Sequence, residues 1–475
     1  MTTPADRALI GRAARHHASR SSHGLWIPPA HRTDPLAVLA SRNSGRIAEL
    51  LPLHYARMAA SPSAFLRGAA AVMAADLAHS PRTGLTVQLC GDAHLLNFGF
   101  SASPERALLF DLNNFDETLP GPFEWDVKRL AASIAVAARD NGQPDGEARG
   151  AAGAAVEAYR NWMRRLADLG ELDVWYRHLD TTDLLALVRA GQRGPGEADA
   201  GNSDPADPTD SLDPSASADP SASTDPSAVA DPSAARHRTS LRALEKLTDT
   251  PGGRRRITPD PPVLEPVGRI DAAALRRIFI GYRSTLPEDR RVLLDRFRFV
   301  DAARQVVGVG GVGVRCHLVL LEGRDSADPL FLQIKEAGRS ALDPPLPRSA
   351  YEHQGHRVVA GQRLLQAAAD PFLGWVTGPE GRHFYWRQLR DVKGASSVGD
   401  LTPALLLDHA RLCGTALARA HARSGDRIAI AAYLGGADTF DRAVADFALR
   451  YADRTALDHA GLRAVLASGR IPATS

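Results

Sequence analysis

Short runs of apolar residues, some of them alternating with polar positions, predict strands in two separate stretches of the chain. Leu85, Val87 and Leu89 alternate with polar residues and predict a short strand that leads into a polar loop at 90–98. Further along, the stretch 305–319 is rich in valine and glycine, and an apolar run follows it after an Asp-Pro turn. This order predicts a glycine-rich β-hairpin and then a third strand.

Helical periodicity surrounds both of these stretches. Apolar positions recur at helical spacing over 63–79, 125–138, 351–369 and 404–423, and Gly425 follows the last of them as a stop signal. The chain therefore alternates helical and strand segments without a repeating unit. This pattern predicts an α+β fold.

An acidic stretch punctuated by Asp-Pro divides the chain. It contains few large apolar residues and cannot bury enough surface to order itself, so we predict a disordered Asp/Pro/Ser/Ala linker at 191–238. The expected organisation has five parts. These are a flexible N-terminal tail at 1–34, a helical part carrying the catalytic loop and the metal-binding residues at 35–190, the linker, a nucleotide lobe at 239–400, and C-terminal helices at 401–475 that pack on the larger lobe.

Charge and composition narrow the function classes. The 475 residues carry a formal net charge of +2, with both signs spread along the chain, so nucleic acid and membranes are not expected partners. The three cysteines lie far apart in apolar surroundings, which favours reduced thiols over disulfides or zinc. No stretch is apolar enough to span a membrane, and we predict a cytoplasmic protein whose metal, if bound, has oxygen ligands.

The loop 90–98 contains the residues most suggestive of catalysis. Asp92 is followed five positions later by Asn97, which places a candidate base and a candidate magnesium ligand on one loop, with His94 between them. Phosphoryl transfer requires such a carboxylate near the acceptor hydroxyl and oxygen ligands for the metal. The same residues could instead form only a turn. Asp92 and His94 are the candidate catalytic residues.

Two further carboxylates follow a short apolar run. Asp111 lies 19 positions after Asp92, and Asp116 lies within the same polar segment. Magnesium prefers one or two carboxylates together with phosphate oxygens and water. We predict that Asn97 with Asp111 or Asp116 binds the metal, and that the other carboxylate shapes a turn.

The glycine-rich hairpin offers a place for phosphates. Gly308, Gly310 and Gly313 fit the spacing Gly-x-Gly-x-x-Gly, and the stretch after them resembles a strand, not the helix that a dinucleotide site needs. Lys335 ends the third predicted strand and is one of only four lysines in the chain. A lysine there could hold phosphate oxygens and pair with a glutamate of the next helix, for which Glu352 is the candidate.

These motifs resemble known kinase-like enzymes. The sequence Gly-Asp-Ala-His-Leu-Leu-Asn at 91–97 looks like the catalytic loop of aminoglycoside phosphotransferases, and 308–313 with Lys335 and Glu352 looks like their nucleotide lobe. The phrases at 63–70, 110–117, 121–126 and 420–426 are similar to domain-of-unknown-function family 2252 of bacteria.

The resemblance implies a two-lobed protein-kinase-like fold. Because the catalytic loop precedes the glycine-rich hairpin, the reverse of kinase order, the fold would be circularly permuted. The chain departs from the kinase pattern at Cys90, at Arg315 and at Asn114, where the spacing back from Asp126 would place the principal metal carboxylate.

We therefore expect an ATP- and magnesium-dependent phosphotransferase that acts on an unknown acceptor. A small molecule is one possible acceptor. Three alternatives remain open at this point. They are a nucleotide-binding regulatory module with little turnover, adenylyl transfer on the same fold, and a metal-dependent hydrolase centred on Asp92, His94, Asp111 and Asp116.

Overall fold

The computed structural model describes residues 2–104, 107–179, 247–249, 255–267, 269–389, 399 and 401–470, which form a mixed α+β fold. The linker predicted at 191–238 lies outside the described residues. Among the described helices, none combines the length and the apolar character needed to cross a membrane.

Helices from both ends of the chain build one helical part. They are α1 (Pro4–His17), α2 (Pro35–Asn43), α3 (Leu51–Ala59), α4 (Pro62–Gly68), α5 (Ala70–Leu77), α6 (Phe123–Asp140), α7 (Asp145–Ala167), α8 (Glu171–Tyr176), α12 (Pro403–Ser424), α13 (Arg427–Leu434) and α14 (Thr439–Ala467), and α9 to α11 are introduced with the sheet. The long helices α6, α7, α12 and α14 pack on one another. The helix predicted at 404–423 is confirmed, and it ends at Gly425.

Helix α6 forms the centre of this part. Its residues from Phe123 to Ala138 are all buried, including Glu124, Asp126, Lys128 and Arg129. A helix buried all round carries charged groups only where each has a partner or a task. Two of these charged side chains, Asp126 and Arg129, contact the loop at 90–97.

A six-stranded antiparallel sheet forms the other part. Its strands lie in the order β11, β12, β10, β9, β8, β7, with bounds Gly374–Thr377, His383–Gln388, Pro329–Glu336, Cys316–Glu322, Arg298–Gln305 and Leu264–Pro266. Helices α9 (Arg269–Ser284), α10 (Glu288–Leu294) and α11 (Gln354–Leu365) accompany it, and a short β5 (Thr248–Asp249) pairs with β6 (Arg256–Ile257). The predicted hairpin and third strand are present as β8, β9 and β10, but β8 ends at Gln305, so most of the stretch 305–319 forms the connection between β8 and β9.

Two small antiparallel pairs hold the loop at 90–97. Strand β1 (Thr86–Leu89) precedes it and pairs with β4 (Leu119–Pro122), while β2 (Phe98–Ala102) follows it and pairs with β3 (Leu108–Leu112). The strand predicted before the loop is therefore confirmed. Both ends of the loop are fixed by sheet hydrogen bonds.

The prediction of a flexible tail at 1–34 is wrong for most of that range. Thr3 caps α1 in a capping box with Asp6, and α1 packs on α13 so closely that a side chain at Gly11 would overlap a carbonyl of α13. Arg15 Nε then donates to the Tyr433 carbonyl at 2.9 Å. The N-terminus is a structural element because it covers the end of α13.

Two predicted helices differ in extent. The helix expected at 63–79 is interrupted at Ala69, whose backbone leaves the helical region (φ −110°, ψ 34°). The Leu66 carbonyl there accepts from Arg129 Nη2 at 2.7 Å, a bond that helical periodicity alone does not reveal. The helix expected at 351–369 begins only at Gln354, after the His353 cap, and ends at Leu365.

Candidate functional site

The loop 90–97 is positioned by a buried aspartate of α6. Asp126 is 2% exposed, and its carboxylate accepts from the backbone N–H of Cys90 at 2.8 Å and of Gly91 at 3.1 Å. Gly91 has φ +85°, and a side chain there would lie 2.2 Å from the Glu117 carbonyl oxygen, so only glycine fits. This turn aims Asp92 away from β1.

Replacing Asp126 by alanine should destabilise the protein by about 2–4 kcal/mol, because it leaves two buried backbone N–H groups without an acceptor. His421 Nε2, 3.3 Å from the same carboxylate, would lose its partner as well. Urea unfolding measures the change, with Glu147→Ala on the exposed surface of α7 as a control expected to stay within about 0.5 kcal/mol. An equal effect of both variants would show that Asp126 does not support the loop.

Asp92 is gripped by an arginine of α6. Arg129 donates from Nε at 2.9 Å and from Nη2 at 2.7 Å to the same oxygen, Oδ1. Burial raises the pKa of Asp92 above its usual value, and the charge of Arg129 opposes that rise without cancelling it. Among the described residues, the second oxygen, Oδ2, accepts only a long contact of 3.5 Å from Asn97 Nδ2. It lies 3.7 Å from His94 Nε2.

His94 and Asn97 brace the loop from within. Burial, together with the charges of Arg67 and Arg129, holds the pKa of His94 well below its usual value, so the ring is neutral at pH 7. Asn97 Nδ2 donates to the Asp92 backbone carbonyl at 2.8 Å. That bond fixes the orientation of the side-chain amide and turns its oxygen away from the Asp92 carbonyl, so the oxygen could bind a metal.

The two candidate metal carboxylates have different surroundings. Asp111 is 3% exposed, accepts from Arg419 Nη2 at 2.6 Å and from the Ala367 N–H at 2.7 Å, and does not line the cavity that Asp92 and His94 line. Asp116 does line it. Asp111 is thus a packing residue, and its prediction as a metal ligand is wrong for this structure. The four residues of the hydrolase alternative do not share one cavity.

The glycine-rich connection joins β8 to β9 and folds over the cavity. Gly308 and Gly310 line it, whereas Gly313 (φ +82°) lies beside Arg46 and outside the lining. The N-terminal part holds this connection in place. Arg57 Nη1 donates to the Gly308 carbonyl at 2.8 Å, and the Ile47 N–H donates to the Gly313 carbonyl at 2.8 Å.

The side chain of Lys335 lies in the cavity and pairs with Asp116, which the sequence had suggested as a metal ligand and not as the partner of this lysine. Its Nζ forms an ion pair with Asp116 Oδ2, while Tyr385 Oη donates to Oδ1 of the same carboxylate at 2.7 Å. Burial would raise the pKa of Asp116, but Lys335 outweighs it and holds that pKa below its usual value. Glu352 is exposed and precedes α11, so the predicted Lys335–Glu352 pair is wrong.

Both halves of the predicted site face one cavity of about 540 Å³. Asp92, His94, Asn97 and Asp116 line it from the part before the linker, and Gly308, Gly310 and Lys335 line it from the part after the linker. The Lys335–Asp116 ion pair joins residues 219 positions apart. The volume lies in the range of small-molecule and cofactor sites.

The cavity also contains residues that sequence reasoning missed. Arg67 lines it near Asp92, and Arg46 lines it beside the glycine-rich connection. A polar network lines its sheet side, in which Arg387 Nη2 donates to Gln333 Oε1 at 2.9 Å and Gln333 Nε2 donates to Gln305 Oε1 at 2.9 Å. Arginine is so common in this chain that nothing singled these residues out. Gln333 is a polar residue in an apolar strand, two positions before Lys335, and could have indicated from the sequence that this strand lines a polar site.

Among the described residues, no three His, Cys, Asp or Glu side chains form a metal-binding group. A family model described as an uncharacterized protein conserved in bacteria, DUF2252, matches residues 46–203 and 220–465. No curated protein and no solved structure matches the chain.

Proposed function

The chain belongs to the bacterial DUF2252 family, and from its geometry we propose that it is an ATP- and magnesium-dependent phosphotransferase with a two-lobed, circularly permuted protein-kinase-like fold. One observation carries the proposal. The candidate base Asp92 and the candidate phosphate ligand Lys335 come from opposite sides of the linker and line the same cavity of about 540 Å³.

The sheet part supplies the nucleotide grip. The glycine-rich connection lies between the first two strands of the β8–β9–β10 unit, and Lys335 lies on the third, as the phosphate-binding lysine does in protein kinases. Gly308 and Gly310 line the cavity and have no side chains that would keep a phosphate away from the backbone. In this proposal the triphosphate lies beneath the connection and against Lys335.

The donor set suits magnesium. The Asn97 amide oxygen accepts no hydrogen bond from the described residues, Asp116 offers a carboxylate, and both line the cavity. One carboxylate and an amide leave positions for phosphate oxygens and water, which is the coordination magnesium prefers. Asn97 and Asp116 would hold the ion, and the bound metal would neutralise charge on the transferred group.

Asp92 would receive the proton of the acceptor. Arg129 occupies Oδ1 and leaves Oδ2 as the acceptor atom, and the neutral His94 beside Oδ2 adds no competing charge. For a general base, a fixed orientation towards the acceptor matters more than a high basicity of the carboxylate. Adenylyl transfer would use the same phosphate and metal ligands, and product analysis distinguishes it from phosphoryl transfer.

Magnesium-dependent ATP binding tests the proposal. Calorimetric titration should give a dissociation constant that Lys335→Met raises at least about tenfold, because one charge-assisted contact to phosphate is lost. Glu352→Gln is the matched control and should leave binding unchanged, since Glu352 is exposed and lies before α11. Equal binding by the wild type and Lys335→Met would contradict the proposed site. A search for phosphorylated or adenylylated products in lysate then identifies the reaction.

A second candidate function is a nucleotide-binding regulatory module with little turnover. It is favoured by the state of the carboxylates, since Asp92 is paired with Arg129, Asp116 is paired with Lys335, and position 114 is an asparagine. ATP binding without any product, unaffected by Asp92→Asn, would favour this function over transfer.

A further inference from the structure

The cavity has a second cationic centre beside Asp92, apart from the Lys335 centre. Arg67 stands at the end of α4, lines the cavity, and makes no hydrogen bond or ion pair with the described residues. Burial lowers the pKa of Arg67, and the negative charge of Asp92 opposes that change. An arginine held in a cavity without a partner is a site for an anion.

Arg46 is another cation of the cavity, beside the glycine-rich connection. It lines the same cavity, and its Nη1 donates to the Val312 carbonyl, a neutral acceptor that leaves its charge uncompensated. Its pKa is lowered by burial first, and the charge of Glu117 opposes that change, yet the two side chains do not form an ion pair. The segment 46–67 therefore brings two unpaired guanidinium groups to the cavity.

The charges of the cavity lining do not balance. Its cations are Arg42, Arg46, Arg67, Lys335, Arg339 and Arg387, and its carboxylates are Asp92, Asp116, Glu117 and Glu336. Two of those carboxylates are already neutralised from outside the lining, Asp92 by Arg129 and Glu336 by Arg315. The surplus of positive charge favours ligands that carry more than one anionic group.

The two cationic centres belong to different subsites. The charge of Lys335 interacts with Asp116, Tyr385 and Arg387, whereas that of Arg67 interacts with Asp92. In the proposed reaction the nucleotide phosphates contact Lys335, and the acceptor lies beside Asp92. Arg67 is therefore on the acceptor side, since the carbonyl of its neighbour Leu66 accepts from the same Arg129 that donates to Asp92. Arg46 bonds to Val312 in the glycine-rich connection and belongs to the nucleotide side.

We propose that the acceptor is an anionic small molecule, bearing a phosphate or a carboxylate group, and that Arg67 binds this group while its hydroxyl faces Asp92. This inference rests on the proposed function for the identity of the second ligand as an acceptor. The anion site itself depends only on the cavity-lining Arg67, which is unpaired among the described residues. Arg67 would determine specificity, because it binds a part of the acceptor that does not react.

Inorganic phosphate serves as the probe in a titration of the full chain that is first saturated with magnesium and a non-hydrolysable ATP analogue. Phosphate should still bind, and Arg67→Gln should weaken it at least about fivefold while changing affinity for the analogue by less than about twofold. Arg67→Lys keeps the charge and should retain part of the affinity. Arg12→Gln, on the exposed surface of α1, is the control.

The outcomes separate the two proposals. Phosphate that binds only in competition with the analogue would assign Arg67 to the nucleotide phosphates and overturn the acceptor subsite. Phosphate binding that is equal in wild type and variants would overturn it too. If the analogue does not bind but phosphate does, and the variants weaken it, the anion site stands and the phosphotransferase proposal fails.

Discussion

Asp92→Asn is expected to reduce product formation about 10²–10⁴-fold while leaving ATP affinity within about threefold, because a positioned general base contributes to the reaction and not to nucleotide binding. The asparagine keeps the size of the side chain but cannot take the acceptor proton. The measurement is the initial rate of product formation at saturating nucleotide, with nucleotide affinity measured by titration on the same preparation.

Thermal unfolding of the same variant is the necessary control, since Arg129 loses its carboxylate partner in Asp92→Asn. The pH dependence gives a second, independent readout. Because burial raises the pKa of Asp92, the acid limb of the rate profile should lie above the usual value of 3.8. A wild-type profile with no acid limb, or an unchanged rate in a folded Asp92→Asn, would rule out Asp92 as the base.

Asp111→Ala is expected to lower the free energy of unfolding by about 3–5 kcal/mol, because it leaves a buried guanidinium without its carboxylate. The side chains of Asp111 and Arg419 are 4% and 1% exposed, so water cannot replace the lost partner. Urea unfolding at neutral pH measures the loss. The effect should be the same with and without magnesium, since Asp111 packs against Arg419 and the proposed metal ligands are Asn97 and Asp116.

Asp145→Ala is the matched control, because Asp145 also pairs with an arginine at 2.8 Å but its side chain is 65% exposed. Its loss should cost less than about 1 kcal/mol. A small effect for Asp111→Ala combined with a loss of magnesium-dependent ATP binding would instead return Asp111 to the metal site.

Local patterns predicted the elements that carry the site. Three segments have a hydrophobic pattern clear enough to predict whether they form a strand or a helix, and all three are present. They are the alternation before Asp92, the apolar run ending at Lys335 and the long alanine-rich helix ending at Gly425. The placement of Asp92 and Asn97 on one loop also follows from the sequence, since they are only five positions apart.

Pairings between distant segments could not be predicted in this way. Lys335 meets Asp116 because the sheet part packs on the helical part, whereas Glu352 was chosen only for its place near the start of the next predicted helix. Asp111 and Asp116 look alike in sequence, and the arginine that occupies Asp111 lies 308 positions away. The N-terminal helix was missed although Thr3 and Asp6 form a capping box, because its apolar stripe is weak and its stability comes from packing on α13.

The packing of α7 on α12 has a consequence for synthesis of the chain. About 230 residues separate the end of α7 from the start of α12. At about 5–20 residues per second, a ribosome needs roughly 10–50 s to cover that distance. During that interval the faces of α6 and α7 that α12 and α14 cover have no partner, so we expect the nascent chain to expose apolar surface until the C-terminal helices are made.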